Sequence, residues 1–205
     1  WVPISAQTAH GEDEIEAKAR YERTAEDIVE VTFNDAEPVM FRGDDGRMKS
    51  ALELAAIGSF EGGFQKFVDD GTCNKPEYKA DGRGGCDSHS AFTTWQIHIF
   101  GNGYILQGDE LSSKMYMPDF ARLNPDKVIQ GKDLIANRQL AVQVALRIAR
   151  TSHRSSHSLC RYTGEPCGEG LHPKADARHQ RAVAYLKQHP FVVPSADDLN
   201  VLEAE

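Results

Sequence analysis

Apolar positions recur at helical spacing in four stretches of the chain, and this pattern predicts a mainly α-helical protein. The first stretch follows a densely charged start at Gly11, and its apolar positions are Ala17, Tyr21, Ala25 and Ile28. Glutamates gather at the front of this helix, where they suit the positive pole of the helix dipole. Further helices are predicted over 48–60, 132–150 and 173–189, the last with Pro173 in its first turn.

The helix predicted over 48–60 differs from the others because most residues on its apolar face are small. That face consists of Ala51, Leu54, Ala55 and Gly58, widened by Leu52, Ala56 and Ser59. Small side chains let several neighbours approach closely, so we expect this helix to be buried at the centre of the domain. The pair Gly62-Gly63 is expected to end it.

The segments between these helices have weaker patterns. Short extended pieces are predicted at 31–33 and 38–41, and a turn at 43–46. The polar stretch 69–90 is a long loop, which is usually functional or tied down. The stretch 92–100 fits either a short strand or a helical turn, 104–119 reads as a mixed connector, and 159–162 as a short helix.

The length of 205 residues is enough for one sizeable domain. We expect an N-terminal extension with an amphipathic helix over 1–47, the main domain over 48–190 and a peripheral tail over 191–205. No internal repeat or interdomain linker is visible.

The composition and charge exclude several function classes. The formal net charge of −8 argues against nucleic acid as a partner, because phosphate neutralisation needs clustered Lys and Arg. No apolar run approaches the roughly 18 residues of a transmembrane helix. Walker-type, His-Glu-x-x-His and Gly-x-Ser-x-Gly motifs are absent from the sequence. The missing motifs predict no cofactor, and we expect a monomer.

The four cysteines form two local pairs, Cys73 with Cys86 and Cys160 with Cys167. This arrangement favours two disulfides and an oxidising compartment, each disulfide contributing roughly 2–3 kcal/mol in the chain-entropy model. Free thiols are one alternative to the disulfides, and a zinc site is the main one. The zinc ligands would come from His153, His157, Cys160, Cys167 and His172. However, no Cys-x-x-Cys pair occurs and the spacings match no standard zinc module, so no metal site is predicted.

Glu61 is the first candidate for chemistry. It ends the apolar helix, near the negative pole of the helix dipole and beside Phe60 and Phe64. Both surroundings favour the protonated carboxyl, the form that a general acid needs. Taken alone, the same position also fits an ordinary exposed carboxylate at a helix end.

The run AAIGSFEGGF, followed by a polar loop and then SAFTTWQI, resembles the lysozyme-like superfamily of goose-type lysozymes and soluble lytic transglycosylases. In this comparison Glu61 matches the catalytic glutamate, Phe64 the aromatic after it, and Gln96-Ile97 the Gln-Ile pair downstream. Tyr162, in the run Arg161-Tyr162-Thr163-Gly164, matches a tyrosine that lines the glycan cleft. The resemblance covers about 48–189.

The resemblance implies an α+β lysozyme-like fold, in which helices surround a central buried helix and a small loop and strand region flanks a glycan cleft. The implied activity is cleavage of the β-1,4 bond between N-acetylmuramic acid and N-acetylglucosamine in peptidoglycan. The implied partner is therefore the peptidoglycan glycan strand, and the protein would act in the periplasm, outside the cell or from a phage.

The resemblance also assigns roles around Glu61. Asp87 stands nine residues before Gln96 and would hold the attacking water, with the two carboxyl groups roughly 6.5–9.5 Å apart; Asp81 is the alternative. Gln96 and Tyr162 are expected to position the glycan and Glu61 by hydrogen bonds. Ser90 and Trp95 are weaker candidates for glycan binding, and Trp95 fits the core better.

Three departures from the family pattern leave a second interpretation open. Gly62 stands where Ser is usual, Thr93 where Gly is usual and Thr163 where Asn is usual. The chain could thus be a divergent enzyme, with hydrolysis or a 1,6-anhydro product as alternative outcomes. It could also be a non-catalytic glycan-binding or structural protein on the same fold.

Overall fold

The computed structural model describes residues 12–80, 83–99, 103–107, 110–113, 118–167 and 172–188. These residues are mainly helical, as the sequence predicts. The helices are α1 (Glu14–Thr32), α2 (Gly46–Glu61), α3 (Lys66–Asp69), α4 (Gly85–His89), α5 (Pro118–Leu123), α6 (Gly131–Ala136), α7 (Arg138–Ser156) and α8 (Pro173–Gln188). Short 3-10 turns lie at Thr72–Asn74 and Pro125–Lys127.

The strands are short and form small antiparallel sheets within the described residues. They are β1 (Lys79–Ala80), β2 (Arg83–Gly84), β3 (Ala91–Phe92), β4 (Ile97–His98), β5 (Tyr104–Gln107), β6 (Glu110–Ser113) and β7 (Val128–Ile129). β1 pairs with β2, β3 pairs with β4, and β5 lies between β6 and β7. The stretch at 92–100 therefore contains one strand of a hairpin, and the predicted connector at 104–119 contains β5 and β6.

Helix α2 lies at the centre of the fold, as its small-residue face predicts. It packs against α1, α7 and α8. Leu54, Ala56 and Ile57 are completely buried, and Gly62 follows the last helical residue. The turn at 43–46 is confirmed, with Gly43 in the left-handed region and its carbonyl oxygen accepting from the Gly46 N–H at 3.0 Å.

Helix α1 begins with a capping box between Asp13 and Glu16 and continues through Thr32. The predicted extended piece at 31–33 is wrong, because Val31 and Thr32 complete the helix and are buried against the core. The other predicted extended piece, 38–41, forms no strand.

The helix predicted over 132–150 is two helices, α6 and α7. The break falls at Asn137, whose side chain accepts a hydrogen bond from the Leu140 N–H at 3.0 Å and so caps α7. Helix α7 then runs to Ser156, through polar residues that were expected to end it. The Ser152 side chain is buried and donates to the Ser158 carbonyl oxygen at 2.8 Å, so this polar turn is satisfied internally.

Buried ion pairs attach the loop after α1 to α7, and another lies at the start of α1. Glu37 is 3% exposed and accepts from Arg147 Nε at 2.9 Å and from Arg150 Nη1 at 3.3 Å, both on α7. Arg20 on α1 pairs with Glu12 at 2.7 Å and also donates to the Phe64 carbonyl oxygen just after α2. These contacts pack α1 on α2 and α7.

Helix α8 confirms the last predicted helix, with Ala175 and Ala182 buried on its inner face. The short helix predicted at 159–162 is a turn instead. None of the helices in the described ranges combines the length and apolar character needed to cross a membrane. The ends 1–11 and 189–205 lie outside the described residues, so the predicted domain limits stay a prediction.

Candidate functional site

Glu61 is the last residue of α2, and a glycine decides what lies beside it. A Cβ on Gly62 would stand 2.7 Å from both the Cα and the carbonyl oxygen of Thr94, in the β3–β4 turn. Thr94 Oγ1 in turn accepts from the Phe64 N–H at 3.1 Å and donates to the Gly58 carbonyl oxygen at 3.3 Å. The hairpin turn is therefore packed directly against the end of α2, next to Glu61.

The carboxylate of Glu61 forms an ion pair with Arg178 of α8. Arg178 Nε donates to Oε1 at 2.9 Å, and Nη2 donates to the same oxygen. The Glu61 side chain is 20% exposed and the Arg178 side chain 10%. Because both bonds end on Oε1, the second carboxyl oxygen takes no part in this ion pair.

The ring of Phe60, the residue before Glu61, lies close to two arginine side chains. The guanidinium carbons of Arg178 and Arg181 lie 5.2 and 4.1 Å from the centroid of the Phe60 ring. Arg181 additionally donates to Ser59 Oγ at 2.6 Å. The surroundings of Glu61 thus differ from the apolar ones that the sequence predicts, because α8 brings two arginines to the end of α2.

Tyr162 lies close to this ion pair and connects it to the hairpin. Its hydroxyl donates to the Trp95 carbonyl oxygen at 2.6 Å. Burial, followed by the negative charge of Glu61, raises the pKa of Tyr162 well above its ordinary value. The hydroxyl thus stays neutral and holds the β3–β4 turn, whereas the sequence predicts that it positions Glu61 directly.

Trp95 belongs to the core, as expected. It is 2% exposed, and its indole Nε1 donates to the Leu54 carbonyl oxygen of α2 at 3.1 Å. Together with the contact between Thr94 and Gly62, this bond fixes the hairpin along the last two turns of α2.

Gln96 and Ser90 are held within the hairpin region. Gln96 Nε2 donates to the Thr93 carbonyl oxygen at 3.1 Å and lies 3.6 Å from Cys86 Sγ. Ser90 Oγ donates to the Asp87 carbonyl oxygen at 2.7 Å. The side-chain oxygen of Gln96 takes no part in these bonds.

Asp87 lies on the exposed side of this region. Its carboxylate is 72% exposed and lies 3.2 Å from His98 Nε2 of β4. The backbone at Cys86, Asp87 and Ser88 is left-handed, with φ of 45°, 49° and 56°, so the segment labelled α4 is a tight left-handed turn and not a regular right-handed helix. Asp81, the alternative water-holding residue, lies outside the described residues.

Both predicted disulfides are formed, Cys73–Cys86 and Cys160–Cys167. The first joins the Asp87 turn to the 3-10 turn Thr72–Asn74, where Asn74 Nδ2 donates to the Ala91 carbonyl oxygen at 2.7 Å. The second joins the ends of the loop before α8. The zinc alternative therefore loses its two cysteine ligands, and the described residues hold no group of three side chains suited to a metal ion.

Sequence reasoning missed Arg178 and His98 as partners of the candidate carboxylates. A signal for Arg178 was present, because it interrupts the apolar stripe of α8 between Ala175 and Ala182. An arginine on a buried helix face needs an acidic partner. No comparable signal marked His98, which reaches Asp87 only through the pairing of β3 with β4.

The site residues fall into two connected groups. Glu61, Arg178 and Tyr162 form one group at the end of α2, and Asp87, Ser90 and Gln96 form the other around the hairpin. The backbone from Thr93 to Trp95 joins them through hydrogen bonds and close packing. Among protein-family models, curated proteins and solved structures, none matches this chain.

Proposed function

We propose that this chain is a peptidoglycan-cleaving glycosidase of the lysozyme-like superfamily, with Glu61 as its general acid. The observation that carries the proposal is the position of Glu61. Its partly exposed carboxylate ends the central buried helix, between a β-hairpin and the Tyr162 turn. A rigid helix end is suited to presenting one carboxyl group to a bound glycan.

The reaction begins when Glu61 protonates the oxygen that bridges N-acetylmuramic acid and N-acetylglucosamine. The bond from that oxygen to the anomeric carbon breaks, and positive charge develops on the sugar. If water near Asp87 attacks, the Asp87 carboxylate takes up the proton that the water loses, and the product is a reducing sugar. If the 6-hydroxyl of the same sugar attacks, and Glu61 takes up its proton, a 1,6-anhydro sugar forms.

Arg178 has to leave Glu61 before this proton can be transferred. The Arg178 guanidinium donates twice to Oε1 and so occupies one of the two carboxyl oxygens of Glu61. We therefore propose that the incoming glycan displaces Arg178, whose fork then hydrogen-bonds the sugar. The Lys174 carbonyl oxygen, which accepts from Arg178 Nη1 at 2.6 Å, keeps the side chain close by.

The remaining candidates have supporting roles in this proposal. The side-chain oxygen of Gln96 accepts from a sugar hydroxyl, while its amide stays bonded to Thr93. Tyr162 acts indirectly, by fixing the hairpin through Trp95. Ser90 orders the Asp87 turn through the Asp87 carbonyl oxygen.

The ion pair also favours a second candidate function. A protein in which Arg178 permanently occupies Glu61 would bind glycan strands without cleaving them. The departures at Gly62, Thr93 and Thr163 fit this alternative as well as they fit a divergent enzyme.

The disulfides are compatible with a location outside the cytoplasm. We propose that the chain works as a monomer in the periplasm, outside the cell or when delivered by a phage.

Mass spectrometry of fragments released from purified cell walls tests the proposal. The wild type is expected to clear wall suspensions and to release muropeptides with reducing or 1,6-anhydro ends. Glu61→Gln removes the proton donor without changing size, and release should fall by about 100-fold or more. Glu26→Gln, an exposed position on α1, is the matched control and should behave as the wild type.

Two outcomes would oppose catalysis by Glu61. Walls that are bound but stay intact at every pH support the glycan-binding alternative. Full activity of Glu61→Gln would assign the chemistry to another residue. Arg178→Gln examines the displacement step, because it removes both the ion pair with Glu61 and the proposed bond to the sugar. A folded variant is expected to bind the glycan more weakly while its chemical step is no slower than in the wild type, and a slower chemical step would contradict the displacement.

A further inference from the structure

A separate cavity is lined by Glu53 of α2. Glu53 stands eight residues before Glu61, which is about 12 Å along the helix axis. Its volume is about 110 Å³. Glu53 forms its floor, and the walls include Phe41, His153, His157, Asp176 and His179. None of the residues that the proposed glycosidase uses lines it.

The Glu53 carboxyl group at the floor of the cavity has one oxygen without a hydrogen-bond partner. Glu53 is 2% exposed, and its Oε2 lies 3.1 Å from His179 Nδ1. Its other oxygen, Oε1, is buried and has no hydrogen-bond partner. Buried polar atoms without a partner are uncommon in folded proteins, so this oxygen indicates that a donor is missing.

The floor does not suit an anionic or purely apolar occupant. Burial raises the pKa of Glu53, while the neighbouring His179 acts in the opposite direction. Bringing a cation to Oε1 would favour the carboxylate and supply the missing donor at once.

The walls fit a small cation. The described residues that line the cavity include two acids and no Lys or Arg. The Phe41 ring lies 5.0 Å from the His153 ring and 6.4 Å from the His179 ring, so one wall is aromatic. Burial, then the charges of His157 and His179, lowers the pKa of His153, which leaves a neutral imidazole able to accept a hydrogen bond.

We propose that this cavity binds a primary ammonium group, with the Glu53 carboxylate as its main acceptor. The cavity volume is several times the roughly 30 Å³ of one water molecule, which leaves space for the ammonium and a short alkyl chain. His157, Asp176 and His179 are exposed, so they form a rim through which the group enters. The source is either a free amine or a lysine-like side chain on a peptide.

The test is a titration of the full chain with methylammonium, followed by NMR of the histidine ring protons. Methanol, which has the same number of heavy atoms and no charge, is the matched neutral probe. We expect saturable shifts at His153 and His179 with methylammonium and none with methanol. Equal shifts with both probes would mean that the cavity takes any small polar molecule, and would overturn the proposal.

Variants assign the contact to Glu53. Glu53→Gln keeps the shape of the side chain and removes the charge, so methylammonium binding should weaken about tenfold or more. Glu26→Gln should bind as the wild type, and so should Glu61→Gln, which separates this site from the glycosidase. Unchanged binding in a folded Glu53→Gln variant would refute the role of Glu53.

Two larger probes distinguish the sources. Spermidine presents its ammonium on a free polyamine, and the tripeptide Gly-Lys-Gly presents it on a peptide. The probe that binds more tightly identifies the source of the ammonium group. If neither competes with methylammonium, the cavity does not accept a presented ammonium group and the proposal fails. The comparison of methylammonium with methanol needs no variant, so it decides the matter even if Glu53→Gln does not fold.

Discussion

The absence of one side-chain carbon at Gly62 is what allows the hairpin to reach the end of α2. The atoms that a Cβ would meet belong to the backbone of Thr94, which cannot rotate away as a side chain can. This close approach gives a physical reason for glycine immediately after Glu61. It also sets the distance between Glu61 and the hairpin that carries Gln96.

Gly62→Ala is therefore expected to destabilise the protein by about 1–3 kcal/mol, because the helix end and the hairpin have to separate. Urea denaturation measures the change in the free energy of unfolding. In the proposed enzyme, wall clearance should fall along with stability, since Glu61 and Gln96 move apart. An unchanged denaturation midpoint would show that the contact with Thr94 relaxes without cost.

Among the secondary structure elements, α8 contributes most to both candidate sites. It carries Arg178 to Glu61, His179 to Glu53, and Arg181 to Ser59. Its first turn is capped from outside the helix by Glu165, which accepts from the Lys174 N–H at 3.0 Å and the Ala175 N–H at 2.9 Å. The position of α8 thus depends on the loop between Cys160 and Cys167, which holds Glu165.

Glu165→Gln tests this cap and its pH dependence. Burial opposes ionisation of the carboxyl, but hydrogen bonds from Lys174, Thr163 and Ala175 outweigh it and lower the pKa of Glu165. A lowered pKa in the folded state gives stability that is present above the pKa of the unfolded chain and is lost as the pH falls through the folded value. At neutral pH the variant should lose about 1 kcal/mol.

Thermal melts of both proteins between neutral and acid pH measure the effect. The difference in melting temperature between the wild type and Glu165→Gln should become smaller on acidification, because the wild-type carboxyl takes up a proton. A constant difference over this range would mean that the charge of Glu165 does not contribute.

At the scale of the whole molecule, links far apart in sequence hold peripheral segments on a core built from α2 and α7. Glu37 binds two arginines of α7, and Arg138 at the start of α7 pairs with Asp27 and Asp69 at 2.7 and 2.8 Å. The disulfides act on the two loops that flank the candidate active site. Each restricts a segment with few apolar residues to bury.

Removing the disulfides one at a time should show which of them only stabilises the fold and which also holds α8 in place. Cys160→Ala/Cys167→Ala and Cys73→Ala/Cys86→Ala are each expected to cost about 2–3 kcal/mol, from the loop entropy released in the unfolded chain. Only the first also frees Glu165, so it should additionally expose α8 to amide hydrogen exchange. Equal exchange of α8 in both variants would contradict the link between this loop and the helix.

The sequence by itself determined the main helices, the central position of α2 and the pairing of the cysteines. Helical periodicity is a local property, and it was sufficient for α1, α2 and α8. The two cysteine pairs are separated by only 13 and 7 residues, so the nearest-partner pairing was readable as well. Short strands such as β5 and β6 were missed because they lack enough residues to establish an alternating pattern.

The tertiary structure decided what each candidate carboxylate faces. Arg178 is 117 residues from Glu61 in sequence, and His179 is 126 residues from Glu53. Both pairs exist because α8 packs on α2, and the direction of that packing cannot be read from either helix alone. The charge environment of a residue depends on neighbours within a few ångströms, and those neighbours are set by the fold and not by the adjacent sequence.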